Sequence, residues 1–150
     1  MSRIAEKFAK LRSRGAVGFI PYLTFGDPQV ERTLPLLEAL DRAGADLIEV
    51  GVPFSDPMAD GPVLQRAAER ALAGGASLRG CLDRVAEFRR GSDVPIILFG
   101  YYNPIFRYGL ERFAADARTA GVDGVLCVDL PPEESAGLDR AARAQGLDVI

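Results

Sequence analysis

Three short segments of this chain repeat one pattern, in which a glycine closes a helix and an aspartate two residues later opens an apolar run. The segments are Ala43-Gly44-Ala45-Asp46, Ala120-Gly121-Val122-Asp123 and Gln145-Gly146-Leu147-Asp148. A glycine just past the last helical residue is a common helix terminator. The near-continuous apolar runs that follow are typical of strands buried on both faces of a parallel sheet. The repeat therefore predicts a chain in which helices and parallel strands alternate.

The apolar runs locate the predicted strands, and the amphipathic segments between them locate the predicted helices. Strands are predicted at residues 17–23, 46–50, 94–99, 124–128 and 148–150. Helices are predicted at residues 2–14, 29–43, 63–72, 77–85 and 110–117, with a further helix that opens at Glu133 and Glu134. Strand-then-helix thus recurs four times before a fifth strand begins.

Two α/β architectures are compatible with this alternation. A closed (β/α)8 barrel takes about 250 residues, whereas an open five-stranded sheet of the doubly wound type fits within 150. The chain ends inside its fifth strand, without the covering helix that an independent sheet needs. We therefore expect residues 1–150 to form one incomplete TIM-barrel domain, the N-terminal part of a (β/α)8 barrel from strand 1 to the start of strand 5.

Composition restricts the chemistry that this chain can perform. It contains no histidine, and its two cysteines, Cys81 and Cys127, lack CxxC spacing and lie in apolar contexts, so we predict no metal site. The net charge is −3, with basic residues scattered singly, which predicts neither nucleic-acid nor membrane binding. No apolar run approaches the ~20 residues of a membrane span, and no signal segment precedes the first helix. We expect a cytoplasmic protein.

Polar residues that follow predicted strands are the candidates for function, since active sites of parallel α/β folds lie at the carboxyl ends of strands. They are Tyr22 and Asp27 after strand 1, Glu49 and Asp60 around the end of strand 2, Tyr101, Tyr102 and Asn103 after strand 3, and Asp129 after strand 4. The connection after strand 2 stands out, because it places two carboxylates over one predicted pocket.

Each of these two carboxylates has a structural and a functional interpretation. Glu49 is the only ionisable residue in Leu47-Ile48-Glu49-Val50. It is either a solvated residue at a frayed strand end or a buried acid whose raised pKa suits general acid–base catalysis. Asp60 precedes Gly61-Pro62, so it either caps the next helix or faces the pocket.

Four segments of the chain resemble the α subunit of tryptophan synthase. They are residues 18–28, residues 49–61 (Glu-Val-Gly-Val-Pro-Phe-Ser-Asp-Pro-Met-Ala-Asp-Gly), residues 101–105 (Tyr-Tyr-Asn-Pro-Ile) and residues 121–134. The second segment is long and unusual enough to be specific. The glycine-rich loops that bind nucleotides in many α/β proteins are missing from the sequence, which disfavours a dinucleotide or NTP site.

The resemblance implies a (β/α)8 lyase of tryptophan biosynthesis that cleaves indole-3-glycerol phosphate, by a retro-aldol reaction, to indole and glyceraldehyde 3-phosphate. The family's two catalytic carboxylates match Glu49 and Asp60. No cofactor is implied on this subunit. In the family, indole passes to a β subunit that carries PLP, within an αββα complex.

The resemblance also implies, less specifically, which residues line the pocket and which face a partner. Tyr22, Phe99, Tyr101, Leu126 and Val128 would line the indole pocket. The segment containing Asp56 would face the β subunit. The chain departs from the commonest family pattern at Phe99, where methionine is frequent, and at Val128, where proline is frequent.

Two other functions remain as alternatives. Barrels of this kind hold phosphate with loops after strands 7 and 8, which these 150 residues do not include. The chain alone is therefore expected to be poorly active and to expose the edges of strands 1 and 5. One alternative is accordingly an inactive half-barrel fragment or a regulatory module that binds a β-type partner. The other is a different phosphate-handling barrel or an open five-stranded binding domain.

Overall fold

The computed structural model describes residues 2–150, and α-helices alternate with short strands along that range. The strands are β1 (Tyr22–Thr24), β2 (Ile48–Gly51), β3 (Ile96–Gly100), β4 (Gly124–Cys127) and β5 (Asp148–Val149). The α-helices are α1 (Arg3–Ser13), α2 (Thr33–Arg42), α3 (Pro62–Ala73), α4 (Leu78–Phe88), α5 (Tyr102–Tyr108), α6 (Leu110–Ala120) and α7 (Ala136–Ala144). Single 3-10 turns, Val30–Arg32 and Pro132–Glu134, precede α2 and α7. No helix within residues 2–150 has the length and apolar character needed to cross a bilayer.

The five strands form one parallel sheet in the order β1-β2-β3-β4-β5. A doubly wound sheet would reverse its strand order at a switch point. Here each strand pairs with the strand that follows it along the chain, which is the order of a (β/α)8 barrel. The open-sheet alternative is therefore wrong, and the predicted barrel order is confirmed. Neither β1 nor β5 has a second strand neighbour among the described residues.

Side-chain alternation gives the sheet two different faces. The outer face carries Ile48, Val50, Ile96, Leu98 and Val125, which pack against the helices in the main hydrophobic core. On the inner face, Leu47 and Ile97 form a separate cluster with Ile4. Because Ile4 belongs to α1, that helix closes the N-terminal end of the strands. Its own start is capped by Ser2, whose hydroxyl accepts from the Ala5 N–H.

The three aspartates of the repeated pattern tie neighbouring segments together at this N-terminal end. The Asp46 carboxylate accepts from the Phe19 N–H at 2.9 Å, and Asp123 accepts from the Ile96 N–H at 2.9 Å. Asp148 accepts from the Ser2 hydroxyl at 2.5 Å. The glycine two residues before each aspartate has a φ of +87°, +87° or +72°, which is the left-handed conformation expected of a helix terminator.

Asp123 accepts more side-chain and backbone hydrogen bonds than the other two aspartates. It is 3% exposed, and it accepts from the Arg89 guanidinium at 2.9 Å and the Arg3 guanidinium at 3.0 Å in addition to the Ile96 N–H. Arg89 also donates to the carbonyl oxygens of Gly121 and Val94. Burial lowers the pKa of Arg89, and the negative charge of Asp123 opposes that shift. The paired charges therefore join α1, α4, β3 and β4 in one buried network.

The structure corrects several predicted boundaries. Strand β1 begins only at Tyr22, and Val17, predicted to be in the strand, is 95% exposed. Pro21 has no N–H to donate, so regular pairing cannot extend back through it. The helix predicted at 29–43 begins with a 3-10 turn and becomes α-helical at Thr33. The short helix α5 was not predicted, because Asn103-Pro104 is typical of a turn, although proline is tolerated in a first helical turn.

We expect the substitution Asp123→Ala to destabilise the chain by about 3–5 kcal/mol, because it leaves the buried Arg89 charge without its partner. Urea unfolding followed by circular dichroism measures this change. The matched control is Asp93→Ala, since Asp93 is 95% exposed and meets Arg3 only at 3.7 Å. That control should cost less than about 0.5 kcal/mol. Equal losses in the two variants would contradict a central role for Asp123.

Candidate active site

Two rows of inward-facing residues run across the sheet and form the floor of the candidate site. Cα pairing aligns the members of each row. The lower row is Tyr22, Glu49, Ile97 and Gly124, and the upper row is Thr24, Gly51, Phe99 and Leu126. Four of the predicted site residues, Tyr22, Glu49, Phe99 and Leu126, therefore share one face, as strand alternation requires.

Glu49 is half-buried and lies within β2 rather than at a frayed end. Its neighbours along the lower row are Tyr22 and Ile97. No hydrogen bond or ion pair from residues 2–150 reaches its carboxylate. Burial raises the pKa of Glu49, and burial is the sole cause of that shift. A carboxyl group of this kind holds its proton more readily than a solvated one, as a general acid must.

Asp60 lies in the connection between β2 and α3, and its side chain does not cap the helix. The N-cap residue of α3 is Gly61, with Pro62 in the first turn. The Asp60 carboxylate instead accepts a hydrogen bond from the Tyr101 hydroxyl at 3.1 Å. The capping interpretation of Asp60 is therefore wrong. One oxygen of this carboxylate is held by Tyr101, and the other accepts no hydrogen bond from residues 2–150.

Tyr101 fixes the shape of the connection that carries Asp60. It directly follows β3 and is 3% exposed. Its hydroxyl accepts from the Ala59 N–H at 2.9 Å while it donates to Asp60, and its ring contacts Phe54 at a centroid distance of 5.3 Å. Burial raises the pKa of Tyr101, so the hydroxyl keeps its proton. The end of β3 thus sets the position of Asp60.

Aromatic and aliphatic side chains complete the floor. The rings of Tyr22 and Phe99 meet edge to face, with centroids 5.4 Å apart and planes at 80°, which is a favourable geometry for an aromatic pair. Leu126 follows on β4. Val128 comes directly after that strand, and its N–H donates to the Gly100 carbonyl at 3.0 Å. Of the predicted pocket-lining residues, Tyr22, Phe99 and Leu126 thus share the inner face, while Tyr101 and Val128 directly follow β3 and β4.

Three aspartates of the strand-to-helix connections lie outside this floor. Asp56 is exposed and accepts from the Ser55 hydroxyl at 2.7 Å. Asp27 forms a two-point ion pair with Arg70 of α3, at 2.7 and 3.0 Å. Asp129 accepts from the Tyr102 N–H at 2.7 Å, so it satisfies the first turn of α5. Asp27 and Asp129 thus tie their connections to helices α3 and α5, whereas the Asp56 carboxylate contacts its neighbour in the chain.

Sequence reasoning missed two residues that shape the site. Thr24 is buried, and its hydroxyl lies 3.4 Å from that of Tyr22. Gly51 gives space to the same tyrosine, because a Cβ at Gly51 would lie 1.9 Å from the Tyr22 hydroxyl oxygen. Both residues stand two positions after a predicted site residue, Tyr22 or Glu49. The period of two along a strand could therefore have identified them.

Comparison with known proteins places this arrangement in a family. The model of the family described as "Tryptophan synthase alpha chain" matches residues 8–150. The chain belongs to the tryptophan synthase alpha chain family. Among curated members, it is 55% identical to the protein of Geotalea uraniireducens and 58% identical to that of Burkholderia thailandensis, with its whole length aligned in both cases. It spans about half the length of these relatives, 56% of each.

Solved structures of the family confirm the barrel fold. The tryptophan synthase subunit alpha of Legionella pneumophila matches 99% of this chain at 47% identity and a TM-score of 0.97, and 57% of that chain is covered. The tryptophan synthase a2b2 complex from Pyrococcus furiosus contains a chain that matches 88% of this one, at 48% identity and a TM-score of 0.84. The prediction of a partial (β/α)8 barrel is thereby confirmed.

We expect Gly51→Ala to destabilise the chain by about 1–3 kcal/mol, because the new methyl group displaces the Tyr22 ring. Urea unfolding measures the loss. In the Tyr22→Ala background the same substitution should cost much less, since the clash has been removed. Gly91→Ala is the control, because a Cβ at Gly91 meets no atom within 4 Å. A full loss in the double variant would contradict this account of Gly51.

We expect Glu49→Gln to stabilise the chain at about pH 7 and to have little effect near pH 4. The folded state raises the pKa of Glu49 above its ordinary value of 4.5, so it binds this proton more tightly than the unfolded chain does. Stability is therefore lost as the pH rises from the unfolded pKa through the folded one. Glutamine removes that loss.

Urea midpoints at the two pH values test this prediction for Glu49. The control is Glu38→Gln, because Glu38 is exposed on α2. A gain from Glu49→Gln at about pH 4 that equals the gain at about pH 7 would contradict a raised pKa for Glu49 in the folded state.

Proposed function

We propose that this chain carries the acid–base half of a site that cleaves indole-3-glycerol phosphate to indole and glyceraldehyde 3-phosphate by a retro-aldol reaction. The observation that carries the proposal is the convergence of two carboxylates, Glu49 and Asp60, on one face of the barrel wall. The negative charges of both raise the pKa of the same Tyr22 hydroxyl, although burial is the larger cause. Membership of the tryptophan synthase alpha chain family supports this assignment.

Glu49 has the properties needed for the proton transfers. Cleavage of the bond between indole C3 and the glycerol chain requires a proton at C3 and the removal of a proton from the carbinol hydroxyl. An acid whose pKa is raised by burial can donate the first proton and then accept the second. Because the Glu49 carboxylate has no hydrogen-bond partner within residues 2–150, both of its oxygens are available to substrate.

Asp60 has the properties of an electrostatic partner for the indole ring. Protonation at C3 places positive charge on the ring nitrogen, and a carboxylate that accepts the N–H stabilises this charge more in the transition state than in the ground state. The Tyr101 hydroxyl holds one oxygen of Asp60 at 3.1 Å, which leaves the second oxygen for the indole N–H. The floor of Tyr22, Phe99 and Leu126 supplies the apolar surface for the ring.

The described residues supply only part of the proposed substrate site. Barrels of this type hold phosphate with loops after strands 7 and 8, and the described sheet has five strands. Binding energy from the remote phosphate normally positions the reacting bond. We therefore propose that residues 1–150 alone are poorly active, and that full activity needs the remaining strands. The proposed reaction uses no cofactor on this chain, while PLP belongs to the β partner.

A β subunit is the proposed protein partner, in an αββα assembly like the a2b2 complex named for the Pyrococcus furiosus relative. Two large apolar side chains, Met58 and Phe106, are 76% and 61% exposed. They follow β2 and β3, which are neighbours in the sheet, so they lie at the same end of the barrel wall. Exposed apolar residues beside the polar Asp56 are suited to a protein contact.

The test is a chimera in which residues 2–150 replace the corresponding part of the Legionella pneumophila subunit, whose structure this chain matches closely. We expect the chimera to release indole from indole-3-glycerol phosphate. Glu49→Gln and Asp60→Asn should each lower kcat by about 10²–10⁴-fold, the range typical of lost acid–base or electrostatic groups. The control Glu38→Gln should retain the parent rate.

Activity retained in both site variants would rule out the roles proposed for Glu49 and Asp60. The alternative of a regulatory module makes a different prediction. In that case the wild-type chimera would cleave no substrate, yet the chain would change the serine-dependent activity of an added β subunit.

A further inference from the structure

The hydroxyl of Tyr22 occupies an unusual position in the candidate site. Its ring starts from β1 but extends over the neighbouring strand, where the oxygen lies 1.9 Å from the position that a Cβ of Gly51 would take. Gly51 stands two residues after Glu49 on the same face of β2, and residues so spaced are about 6.6 Å apart along a strand. The Tyr22 hydroxyl therefore lies over the inner face of β2, on the Gly51 side of Glu49.

This hydroxyl has one weak partner and two charged neighbours. Within residues 2–150 its only hydrogen-bond contact is the Thr24 hydroxyl at 3.4 Å. Burial raises the pKa of Tyr22, and the charges of Asp60 and Glu49 raise it further, so the group remains a neutral O–H donor. No direct hydrogen bond joins it to either carboxylate. A ligand oxygen bonded at about 2.8 Å to both Tyr22 and Glu49 would bridge a gap of up to about 5.5 Å.

The hydrogen-bonding properties of the Glu49 carboxylate and the Tyr22 hydroxyl indicate which ligand group could bind to both. A carboxylate accepts a proton or a hydrogen bond, and a phenol hydroxyl donates one. A ligand hydroxyl can satisfy both at once, because it donates to Glu49 while its oxygen accepts from Tyr22. An indole ring has no such oxygen. A donor beside an acceptor therefore suits the carbinol group next to the ring of indole-3-glycerol phosphate.

We propose that Tyr22 is a further catalytic residue, whose hydroxyl donates a hydrogen bond to the carbinol oxygen of the substrate and stabilises the charge that develops there. This inference rests on the proposed function and adds a residue to it. Tyr22 thus has two separate parts in the site, an apolar ring against Phe99 and a polar hydroxyl toward the reacting oxygen.

The proposed step balances without any further reactant. Glu49 gives its proton to indole C3. The bond between C3 and the carbinol carbon then breaks, and its electron pair stays with the ring and restores the indole. The carbinol oxygen loses its proton to Glu49 and becomes the carbonyl oxygen of the aldehyde. Tyr22 keeps its own proton throughout, and its hydrogen bond strengthens as negative charge builds on that oxygen, which is how a fixed donor accelerates such a step.

The test is Tyr22→Phe in the chimera, with kcat for indole-3-glycerol phosphate and the affinity for indole-3-propyl phosphate both measured. That analogue has the ring and the phosphate but no hydroxyl on its chain. Loss of one preorganised donor should lower kcat by about 10²-fold, while the affinity for the analogue stays unchanged. Tyr108→Phe is the control, because the Tyr108 hydroxyl bonds Asp116 away from the inner face.

Three outcomes of this experiment distinguish the possible roles of Tyr22. A reduced kcat with unchanged analogue affinity supports the proposal. An unchanged kcat, or an equal loss in kcat and in analogue affinity, overturns it, because Tyr22 would then serve only as a wall of the pocket. A wild-type chimera that cleaves no substrate overturns the proposed function, and the role of Tyr22 with it.

Discussion

The buried Asp123 carboxylate is the interaction on which the rest of this fold depends. It receives hydrogen bonds from two arginines and from the first backbone N–H of β3, so it joins elements that are far apart in the chain. A buried charge of this kind is tolerated only when it is fully paired. Asp46 and Asp148 make similar links at neighbouring strands. Asp46 and Asp123 thus hold the starts of neighbouring strands together, and Asp148 ties the start of β5 to the N-terminus of α1.

The two faces of the sheet carry different kinds of residue. Aliphatic residues of the outer face pack on the helices, whereas the inner face carries Glu49 and the Tyr22 hydroxyl above the small cluster of Ile4, Leu47 and Ile97. Those apolar neighbours desolvate the glutamate, and desolvation raises its pKa. The raised pKa of Glu49 is therefore a consequence of where strand alternation places it.

Much of the fold could be predicted from periodicity, because the glycine and aspartate pattern marks helix ends and strand starts directly. The extent of β1 could not, since Pro21 and the exposed Val17 break an apolar run that looks continuous. Family resemblance and strand-end position predicted Glu49 and Asp60 as site residues. Neither indicated that Tyr101 holds Asp60, nor that Tyr22 extends over Gly51, because these contacts join strands that are distant in sequence.

Strand β3 links the two ends of the barrel wall. Its first N–H is held by Asp123, and the residue directly after it, Tyr101, holds the connection that carries Asp60. The five residues of β3 thus separate the Asp123 network from the connection that carries Asp60. Substitutions that displace Asp123 should for this reason also shift Tyr101 and Asp60, so that the stability of the chain and the geometry of the candidate site change together through one strand.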